Sequence, residues 1–567
     1  MATAEETRVR GLSDELHIPR MLARCLVNRG YTTASAAGEF LVPRLRLLSD
    51  PGLLPQMDLA LDRLWRARLN QEPVVVFGDY DVDGVTSTAL LIEILGPLGW
   101  KVRYYLPHRL DEGYGLSEEG VKNCIEAGPV GLLVAVDCGS TSDAVISSLA
   151  AKGIDVIVLD HHQVSKPAPC AVALVNPHVS EVHGAHGTEL CSAGLAFKLA
   201  HAILKRARAE GWPEAATFDL KPLLDLVALG TIADLVPLIA ENRILASAGL
   251  ERINRRQRPG LRALCEVAQV RDEVGTYEVA FQLAPRLNAA GRLEDATEAL
   301  ELLLDSDESH ARSVAAALDA HNRERQAIER RIADEAIQQV RPRFNQSTDY
   351  VIVEGHLLWH VGVVGIVASR VLQEFYRPTI LLGGDGHAWR GSGRSIEGFD
   401  LAEALRSCTD LLVRHGGHAM AAGVTVLPGN VPAFRTRLNA LASKLLQPEN
   451  LMPPLRLDAA VDLPELDLEA VADLERLRPF GQGNPAVQLV ARRVRLERVP
   501  QRVGRESQHL KFRVASQGTS CDAIWWGGAA RPWPEGLFDL ACVPQLNTFA
   551  GQTKVQLRVL DWRPSDN

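Results

Sequence analysis

An uninterrupted apolar run, Val74–Phe77, leads into three aspartates at alternating positions, and this pattern strongly limits the folds open to the chain. Asp79, Asp81 and Asp83 follow the run, and Gly84 and a helix-forming segment come next. Alternate side chains of an extended chain point the same way, so we expect Asp81 and Asp83 to share one side. Carboxylates this close repel one another unless a cation lies between them. One aspartate could simply cap the following helix, but that leaves the other two unexplained.

Other apolar runs also deliver side chains that can bind a metal. Asp137 follows the run at 132–136, and Asp160, His161 and His162 follow the run at 156–159. Ligands bind beyond the carboxyl ends of strands in open α/β sheets, so we expect these ends to converge. Asp234 lies in an apolar helical run, where a charge is costly unless a metal or another partner receives it. Oxygen ligands with one or two imidazoles suit Mn²⁺ or Mg²⁺, and two such ions could clamp the attacking and leaving oxygens in phosphoester hydrolysis.

The same apolar runs predict the fold class. Strands that are apolar throughout and alternate with helices indicate an α/β fold with a mostly parallel sheet. At 567 residues the chain is too long for one core, so we expect several domains. We predict an N-terminal helical segment over 1–70, an α/β catalytic domain over 71–300, a long connecting helix over 301–345, a smaller α/β domain over 346–450 and a β domain over 451–567.

The composition indicates a protein of the cytoplasm. The N-terminus has no basic stretch followed by an apolar run, so a secretory signal is not expected. No stretch of about 18 uninterrupted apolar residues occurs, so no membrane span is expected either. The nine cysteines are scattered without a Cys-x-x-Cys pair, which fits reduced thiols better than disulfides or a zinc ribbon.

The C-terminal region carries a basic segment although the net charge is −9. Between positions 486 and 513 eight basic residues face two acidic ones, Glu497 and Glu506. Aromatic residues interleaved with basic ones on short strands predict an OB-type platform for single strands, in which rings stack on bases. The residues of this predicted platform are Arg502, Arg505, Lys511, Phe512 and Trp525, with Trp526 and Phe549 as further aromatic candidates. The alternative is that Trp525 and Trp526 are core, and one of them is expected to be, because neighbours on a strand face opposite sides.

Two glycine-rich loops in the second half predict phosphate contacts. Gly391-Ser-Gly-Arg-Ser combines exposed backbone with a guanidinium, and the loop at 415–423 could cradle an oxyanion with its N–H groups. Each could also be an ordinary glycine turn. Together with Arg286, Arg292, His360 and Arg370 they favour a phosphate-lined cleft that faces the metals.

These residues resemble the successive motifs of the DHH phosphoesterase superfamily. The matching motifs are Asp-Tyr-Asp-Val-Asp-Gly at 79–84, Asp137, Asp160-His161-His162 and Asp234. More closely, the chain resembles the bacterial single-strand-specific 5′→3′ exonucleases of that superfamily, through the segments 284–292, 359–370, 391–395 and 415–423. The resemblance covers nearly the whole chain and implies a DHH catalytic domain, a DHHA1-type domain and a C-terminal OB-like domain.

The resemblance also implies roles for individual residues. The implied metal ligands are Asp81, Asp83, Asp137, His161 and Asp234, with Asp79 in or next to the same site and Asp160 and His162 as catalytic residues. The pocket implied to bind the 5′ end consists of Arg109, Ser392 and Arg394. Further implied phosphate or DNA contacts are Arg286, Asn288, Arg292, His360, Arg370 and His418. Pyrophosphatase relatives have a histidine ligand where this chain has Phe77, so one metal site is expected to be weaker or to be completed by Asp79.

The function that we expect is exonuclease action on single-stranded DNA from the 5′ end. The resemblance implies two Mn²⁺ or Mg²⁺ ions, release of mononucleotides in DNA repair and recombination, a monomeric enzyme, and a single-strand-binding protein and a helicase as partners. One alternative is a phosphodiesterase of the same superfamily that acts on short oligoribonucleotides or cyclic dinucleotides. Another is a non-catalytic DNA-binding scaffold like the replication relatives in eukaryotes, which would have broken metal motifs.

Overall fold

The structure, a computed structural model, describes residues 6–108, 111–113, 115–179, 187–293, 295–384, 387–549 and 551–565, with only the backbone described at 292 and 293. Three β-sheets organise these residues. The predicted multidomain α/β architecture with a parallel sheet and a C-terminal β domain is confirmed. Among the helices described, none is both long enough and apolar enough to cross a membrane.

The N-terminal helices divide between two hydrophobic cores. They are α1 (Glu6–Leu16), α2 (Arg20–Asn28), α3 (Ala34–Leu41) and α4 (Met57–Leu69). Val9 and Leu22 are buried in one cluster with Leu489 of the C-terminal β domain. Leu64 of α4 is instead buried with Val74 of the first sheet. The first three helices therefore stabilise the far end of the chain, whereas α4 belongs to the first α/β unit.

The first sheet is parallel and five-stranded. Its strands are β1 (Pro73–Gly78), β2 (Lys101–Tyr105), β3 (Leu132–Val136), β4 (Asp155–Leu159) and β5 (Ala173–Val175), in the spatial order β2-β1-β3-β4-β5. β1, β3 and β4 are buried nearly throughout, as expected for strands covered by helices on both faces. Because neighbouring strands are parallel, the carboxyl ends of β1, β3 and β4 lie together at one edge.

Helices cover this sheet and extend beyond it. They are α5 (Val82–Leu95), α6 (Glu118–Glu126), α7 (Asp143–Ala151), α8 (Ser192–Ala209), α9 (Pro213–Thr217), α10 (Leu224–Ala233), α11 (Ala240–Asn254), α12 (Pro259–Val267), α13 (Thr276–Glu278), a π-helix (Val279–Leu283), α14 (Ala284–Leu293), α15 (Thr297–Leu304) and α16 (Glu308–Val340). The segment 301–345, predicted as one long connecting helix, is interrupted. Asp307 accepts hydrogen bonds from the amides of Ser309 and His310, and this cap starts α16 anew.

The second sheet is mixed and lies beyond α16. Its elements are β6 (Ile352–Gly355), α17 (Val364–Phe375), β7 (Thr379–Gly384), β8 (Trp389–Arg394), α18 (Leu401–Arg406), β9 (Leu412–Gly417), β10 (Ala421–Val426) and α19 (Val431–Leu445). The strand order is β6-β7-β8-β10-β9, with only β6 and β7 parallel. Ile332 of α16 is buried together with Val367 of α17, so the long helix connects this domain to the first one.

The C-terminal domain is a closed five-stranded barrel with two added strands. Its elements are β11 (Ala459–Val461), α20 (Leu468–Leu474), β12 (Leu489–Leu496), β13 (Gln501–Val503), β14 (His509–Ser516), β15 (Thr519–Trp525), β16 (Phe538–Phe549) and β17 (Gln552–Pro564). Pairing runs β12-β16-β17-β15-β14, and β14 returns to β12 through Arg495↔Ala515 and Leu496↔Val514. This closure removes the exposed edges that an open sheet would have.

A buried arginine ties the barrel domain to the first domain. Arg243 of α11 is 2% exposed and donates hydrogen bonds to the carbonyl oxygens of Phe40, Leu477 and Arg478. Buried guanidinium groups need such partners, because a charge without them is costly in an apolar interior. The N-terminal helices, the first domain and the approach to the barrel therefore meet at one side chain.

Candidate metal centre and phosphate cleft

The aspartate-rich loop connects β1 to α5. The carboxylate of Asp81 accepts hydrogen bonds from the amides of Asp83, at 2.9 Å, and Gly84, at 3.2 Å, and so caps α5. The expectation that Asp81 and Asp83 share the side of an extended chain is wrong, because the chain turns into a helix at Val82. Helix capping accounts for Asp81, and a Cβ atom on Gly84 would lie 2.4 Å from the carbonyl oxygen of Asp79. Only glycine allows the first turn of α5 to approach the backbone of Asp79 this closely.

His161 lies among three carboxylates that come from three different elements. Its Nε2 atom is 3.4 Å from Oδ2 of Asp234, 3.5 Å from Oδ1 of Asp137 and 3.9 Å from Oδ2 of Asp83. Asp137 directly follows β3, His161 closely follows β4, and Asp234 ends α10. The predicted convergence of the strand ends therefore brings these side chains together.

Three overlapping groups of side chains can each place a ligand atom within 4.8 Å of the others. The groups are Asp79 with Asp81 and Asp137, Asp137 with His161 and His162, and Asp83 with His161 and Asp234. Asp137 and His161 each belong to two groups. Two cations could therefore share ligands, which is the arrangement that a two-metal site requires.

The charges in this cluster favour a bound cation. Burial raises the pKa of Asp83, and burial together with neighbouring carboxylates raises the pKa of Asp137 well above its ordinary value. Burial and the charges of Asp83 and Asp81 raise the pKa of Asp234 to about 9. Burial lowers the pKa of His161, so its ring is neutral and can act as a ligand. This donor set of carboxylates and one neutral imidazole fits Mn²⁺ or Mg²⁺.

His162 is held by Asp160. Its Nδ1 atom lies 2.7 Å from Oδ1 of Asp160, and the same oxygen accepts the amide of His162 at 3.1 Å. Burial lowers the pKa of His162, but the hydrogen bond and charge of Asp160 outweigh it and raise the pKa to about 9. The amide of Ser140 also donates to Asp160, whose pKa these hydrogen bonds hold below its usual value in spite of burial. His162 is therefore an oriented, protonated imidazole beside the carboxylates.

The second domain approaches the cluster through His418, in the turn between β9 and β10. The ring centroids of His418 and His162 are 6.5 Å apart and their planes differ by 16°. Burial and the charge of His162 lower the pKa of His418. A protonated and a neutral imidazole thus face each other across the boundary between the two domains.

Ser392 and Arg394 lie together beside the start of α17. Nη1 of Arg394 donates to Oγ of Ser392 and to the carbonyl of Gly393, both at 2.8 Å. A Cβ atom on Gly365 would lie 3.0 Å from Oγ of Ser392 and 3.2 Å from Nη2 of Arg394, so both side chains reach the first turn of α17. A guanidinium and a hydroxyl group beside the positive end of a helix dipole together suit a phosphate group.

Four further predicted phosphate contacts have protein partners. Nε of Arg286 pairs with Asp319 at 2.9 Å, and Nε of Arg370 pairs with Glu329 of α16 at 2.7 Å. The remaining predicted contacts are placed as follows: Asn288 accepts the amide of Val82 at 3.2 Å, and Nδ1 of His360 accepts the amide of Gly362. Arg109 and the side chain of Arg292 lie outside the described residues. Asn288 thus supports the aspartate loop from α14.

The predicted single-strand platform is wrong in its two aromatic members. Phe512 and Trp525 are 5% and 4% exposed and form part of the barrel core, so neither ring can stack on a base. Neighbouring residues on a strand face opposite sides, so Trp526, which directly follows Trp525, is 58% exposed. Phe549, at the end of β16, is 82% exposed. The basic members Arg502, Arg505 and Lys511 are all exposed. The barrel surface therefore has the predicted basic residues, but its exposed aromatic side chains are Trp526 and Phe549.

One contact with the metal cluster was not predicted. Oγ of Ser192, at the start of α8, donates to Oδ1 of Asp137 at 2.9 Å. The backbone amide of Ser192 donates to Asp83 at 2.7 Å, and that of Ala193 at 2.9 Å. A serine in an apolar helical run gives no sequence signal for such a role, because its partners are distant along the chain.

Three domain families match this chain. The N-terminal domain of the DHH family matches residues 73–231, the DHHA1 domain matches 348–444, and the RecJ OB domain matches 457–561. Their order agrees with the α/β domain, the mixed-sheet domain and the barrel.

The similar curated proteins include bacterial exonucleases. The chain is 39% identical to the single-stranded-DNA-specific exonuclease RecJ of Bacillus subtilis over 525 residues, which are 92% of this chain and 64% of that protein. It is 38% identical to the RecJ of Dickeya dadantii over 563 residues, 96% of each.

Crystal structures of RecJ from Thermus thermophilus agree with the fold over the whole chain. The complex with Mn²⁺ has a TM-score of 0.86 at 31% identity, and that with Mg²⁺ has 0.80 at 29%. Each covers 100% of this chain, which spans 79% and 78% of the two compared chains. With three matching domains in order and relatives this similar over nearly its full length, the chain belongs to the RecJ family of single-stranded-DNA-specific exonucleases.

Proposed function

We propose that this chain hydrolyses single-stranded DNA from the 5′ end and releases mononucleotides, using two Mn²⁺ or Mg²⁺ ions. The observation that carries the proposal is the position of His161, whose Nε2 atom lies within 4 Å of three carboxylates. Such a cluster is unfavourable without a cation, and divalent ions next to a phosphate site are suited to phosphodiester cleavage.

The proposed ligands are Asp79, Asp81, Asp83, Asp137, His161 and Asp234. When bound, the ions would lower the pKa of the attacking water and stabilise the charge on the leaving 3′ oxygen. The protein contributes orientation, because Asp81 is fixed by helix capping and Asp83 by the amides of α8. Fixed ligands need no rearrangement during the reaction, and this lowers its barrier.

The proposed role of His162 is to stabilise negative charge on the substrate phosphate. Asp160 orients the ring through Nδ1, and its hydrogen bond and charge raise the pKa of His162, which favours the protonated ring. The Nε2–H group would then donate to a phosphoryl oxygen, where charge develops during the displacement. Asp160 acts through His162 by holding the ring and its proton.

The proposed site for the 5′-terminal phosphate consists of Ser392, Arg394 and the first turn of α17. This site belongs to the second domain, which approaches the metal cluster through His418. A terminal phosphate held there would place the adjacent phosphodiester at the metal cluster, and this would give 5′→3′ polarity. Arg109, Arg286, Asn288, Arg292, His360 and Arg370 are proposed as further contacts along the substrate or its supports.

The barrel is proposed to bind the rest of the strand. Arg502, Arg505 and Lys511 are exposed on or beside β13 and β14, and Trp526 lies nearby, with its ring centroid 4.6 Å from that of His509. Cations that follow the backbone, with rings that stack on bases, are typical of single-strand platforms. We also propose, on the family resemblance, a monomeric cytoplasmic enzyme of DNA repair and recombination that works with a single-strand-binding protein and a helicase.

The test is cleavage of matched oligonucleotides by the purified protein with Mn²⁺. We expect 5′-labelled single-stranded DNA to yield labelled mononucleotide at once, and 3′-labelled strands to shorten progressively. Duplex DNA and RNA of the same sequence should be cut much more slowly. Preferred cleavage of dinucleotides or cyclic dinucleotides would favour the phosphodiesterase alternative, and no cleavage of any of them would favour a non-catalytic scaffold.

A further inference from the structure

The N-terminus of α8 contacts two proposed metal ligands that lie on different elements. The amide of Ser192 donates to Oδ2 of Asp83 and that of Ala193 to Oδ1, at 2.7 and 2.9 Å. The side chain of Ser192 donates to Oδ1 of Asp137 at 2.9 Å. One residue therefore connects the carboxylate on α5 with the carboxylate that follows β3.

These contacts are shielded from water. Ser192 is fully buried, and Asp83 and Asp137 are 1% and 2% exposed. A buried hydroxyl group normally makes a hydrogen bond, and a bond to a carboxylate is stronger than one between neutral groups. Amides at a helix N-terminus also favour a negative charge. The contacts are therefore strong enough to fix the orientation of both carboxylates.

The surrounding packing leaves these carboxylates little freedom. A Cβ atom on Gly230 of α10 would lie 2.9 Å from Oδ1 of Asp83 and 2.8 Å from Cβ of Ala193. Asp137 has a φ of 62°, a conformation that costs free energy for a residue other than glycine. Such a conformation persists only where neighbouring groups hold it, and the hydroxyl of Ser192 is one of these groups.

We propose that Ser192 is a positioning residue of the metal centre. Its hydroxyl holds Oδ1 of Asp137, which leaves Oδ2 and the remaining lone pair of Oδ1 for cations. At the same time, the amides of Ser192 and Ala193 each occupy one lone pair on an oxygen of Asp83. This inference rests on the proposed function, because it requires Asp83 and Asp137 to be metal ligands.

The experiment uses the full-length chain and two replacements of Ser192. S192A removes the hydroxyl, and S192C keeps the volume but replaces a strong donor by a weak one. S87A is the matched control, because Ser87 is also fully buried, on α5, and its hydroxyl makes no hydrogen bond within the described residues. Calorimetric titration of the metal-free proteins gives the affinity for Mn²⁺, and nuclease assays give KM for DNA and the Mn²⁺ concentration for half-maximal rate.

We expect S192A and S192C to bind Mn²⁺ about 10- to 100-fold more weakly, as is typical when a group that orients a ligand is removed. KM for DNA at saturating Mn²⁺ should remain unchanged, and S87A should match the wild type in every measurement. If S192A fails to fold by circular dichroism, S192C alone decides. Wild-type Mn²⁺ affinity in a folded S192C or S192A variant would overturn the proposal.

A separate variant distinguishes failure of this inference from failure of the proposed function. Asp137→Asn should greatly weaken Mn²⁺ binding if Asp137 is a ligand. If Asp137→Asn has this effect and both Ser192 variants bind normally, only the positioning role is wrong. If Asp137→Asn also binds normally, the metal site itself is wrong, and the inference about Ser192 is overturned with it.

Discussion

His162 and His418 face each other across the boundary between the first two domains, with ring centroids 6.5 Å apart. Asp160 raises the pKa of His162 to about 9, against the effect of burial, whereas burial and the charge of His162 lower the pKa of His418. The space between the rings is bordered by one protonated and one neutral imidazole. A phosphodiester bound at the edges of the two rings would meet a positive charge on His162 and a neutral hydrogen-bonding nitrogen on His418.

The first prediction concerns this pair. His418→Ala should lower kcat by about tenfold or more, because it removes a group facing the reacting phosphate, while KM changes little. His415→Ala is the control, since His415 is on the same hairpin but contacts Thr409 instead. Steady-state rates at saturating DNA and Mn²⁺ provide the measurement. Equal losses for the two variants would mean that the hairpin matters only as a scaffold.

The second prediction concerns pH and the metal-free protein. The pKa of Asp234 is raised to about 9 in the folded state, whereas its ordinary value, which applies to the unfolded state, is 3.8. Between these two pH values the folded state therefore binds more protons than the unfolded state. Stability must therefore fall as pH rises, by about 1.4 kcal/mol per pH unit for each such proton. With EDTA present, we expect Tm to be lower at pH 8.5 than at pH 5.5, and saturating Mn²⁺ at pH 8.5 to restore it.

Asp234→Asn should make this dependence shallower in EDTA, because it removes one of the groups with a raised pKa, whereas Asp83, Asp137 and His162 remain. Asp58→Asn, at an exposed position of α4, is the control and should keep the wild-type slope. Thermal unfolding followed by circular dichroism at both pH values gives the comparison. A wild-type slope in Asp234→Asn would show that Asp234 does not titrate in this way.

The third prediction concerns the phosphate site. Arg394→Ala should reduce the preference for a 5′-phosphate over a 5′-hydroxyl end, because it removes a charge-assisted contact of about 1.5–3 kcal/mol. The ratio of kcat/KM for the two ends measures this preference. Arg390→Ala, at an exposed position of the same strand, should leave the ratio unchanged. An unaltered ratio in Arg394→Ala would place recognition of the 5′ end elsewhere.

The fourth prediction concerns the barrel. Deleting the domain is a poor test, because its core also buries Val9 and Leu22 of the N-terminal helices. Deletion would also remove carbonyl groups that accept hydrogen bonds from the buried Arg243. A triple replacement of Arg502, Arg505 and Lys511 by Ala should instead weaken binding to long single strands. The slope of log affinity against log[salt] should become shallower by about 0.7 for each DNA phosphate that the variant no longer neutralises.

Two controls complete the barrel experiment. Cleavage of a dinucleotide should be nearly unchanged in the triple variant, because the metal cluster and the phosphate site lie in other domains. Lys444→Ala, at an exposed position of α19, should leave the salt slope as in the wild type. An unchanged slope in the triple variant would leave the basic face of the barrel without a role in DNA binding.

The sequence was informative where several signals agreed. Continuous apolar strands that end in acidic side chains predicted both the parallel sheet and the meeting of Asp137 with His161, because strand polarity alone brings such ends together. The strand β5 was not predicted, since three residues give too short a pattern. Nor was β2, which mixes charged and aromatic residues.

Other features could not be derived, because they depend on three-dimensional neighbours. Whether Asp81 belongs to an extended strand or caps a helix depends on the residue at which the helix begins. An alternating pattern in the sequence does not show where that is. Phe512 and Trp525 were assigned to the surface because alternation leaves open which side of a strand faces the core. Ser192 gave no signal at all, since its partners lie more than 50 positions away in the sequence.

The most direct test of the account is the turnover of Asp137→Ala with Mn²⁺ on 5′-phosphorylated single-stranded DNA. Asp137 forms one group with Asp79 and Asp81, and its Oδ1 atom lies 3.5 Å from His161 of another group, so its loss should disturb both ions. We expect kcat to fall by at least about 1,000-fold, since a two-metal site supplies much of the charge stabilisation in the displacement. Circular dichroism and DNA binding should stay close to those of the wild type. Near-normal Mn²⁺-dependent cleavage by a folded Asp137→Ala protein would contradict the account.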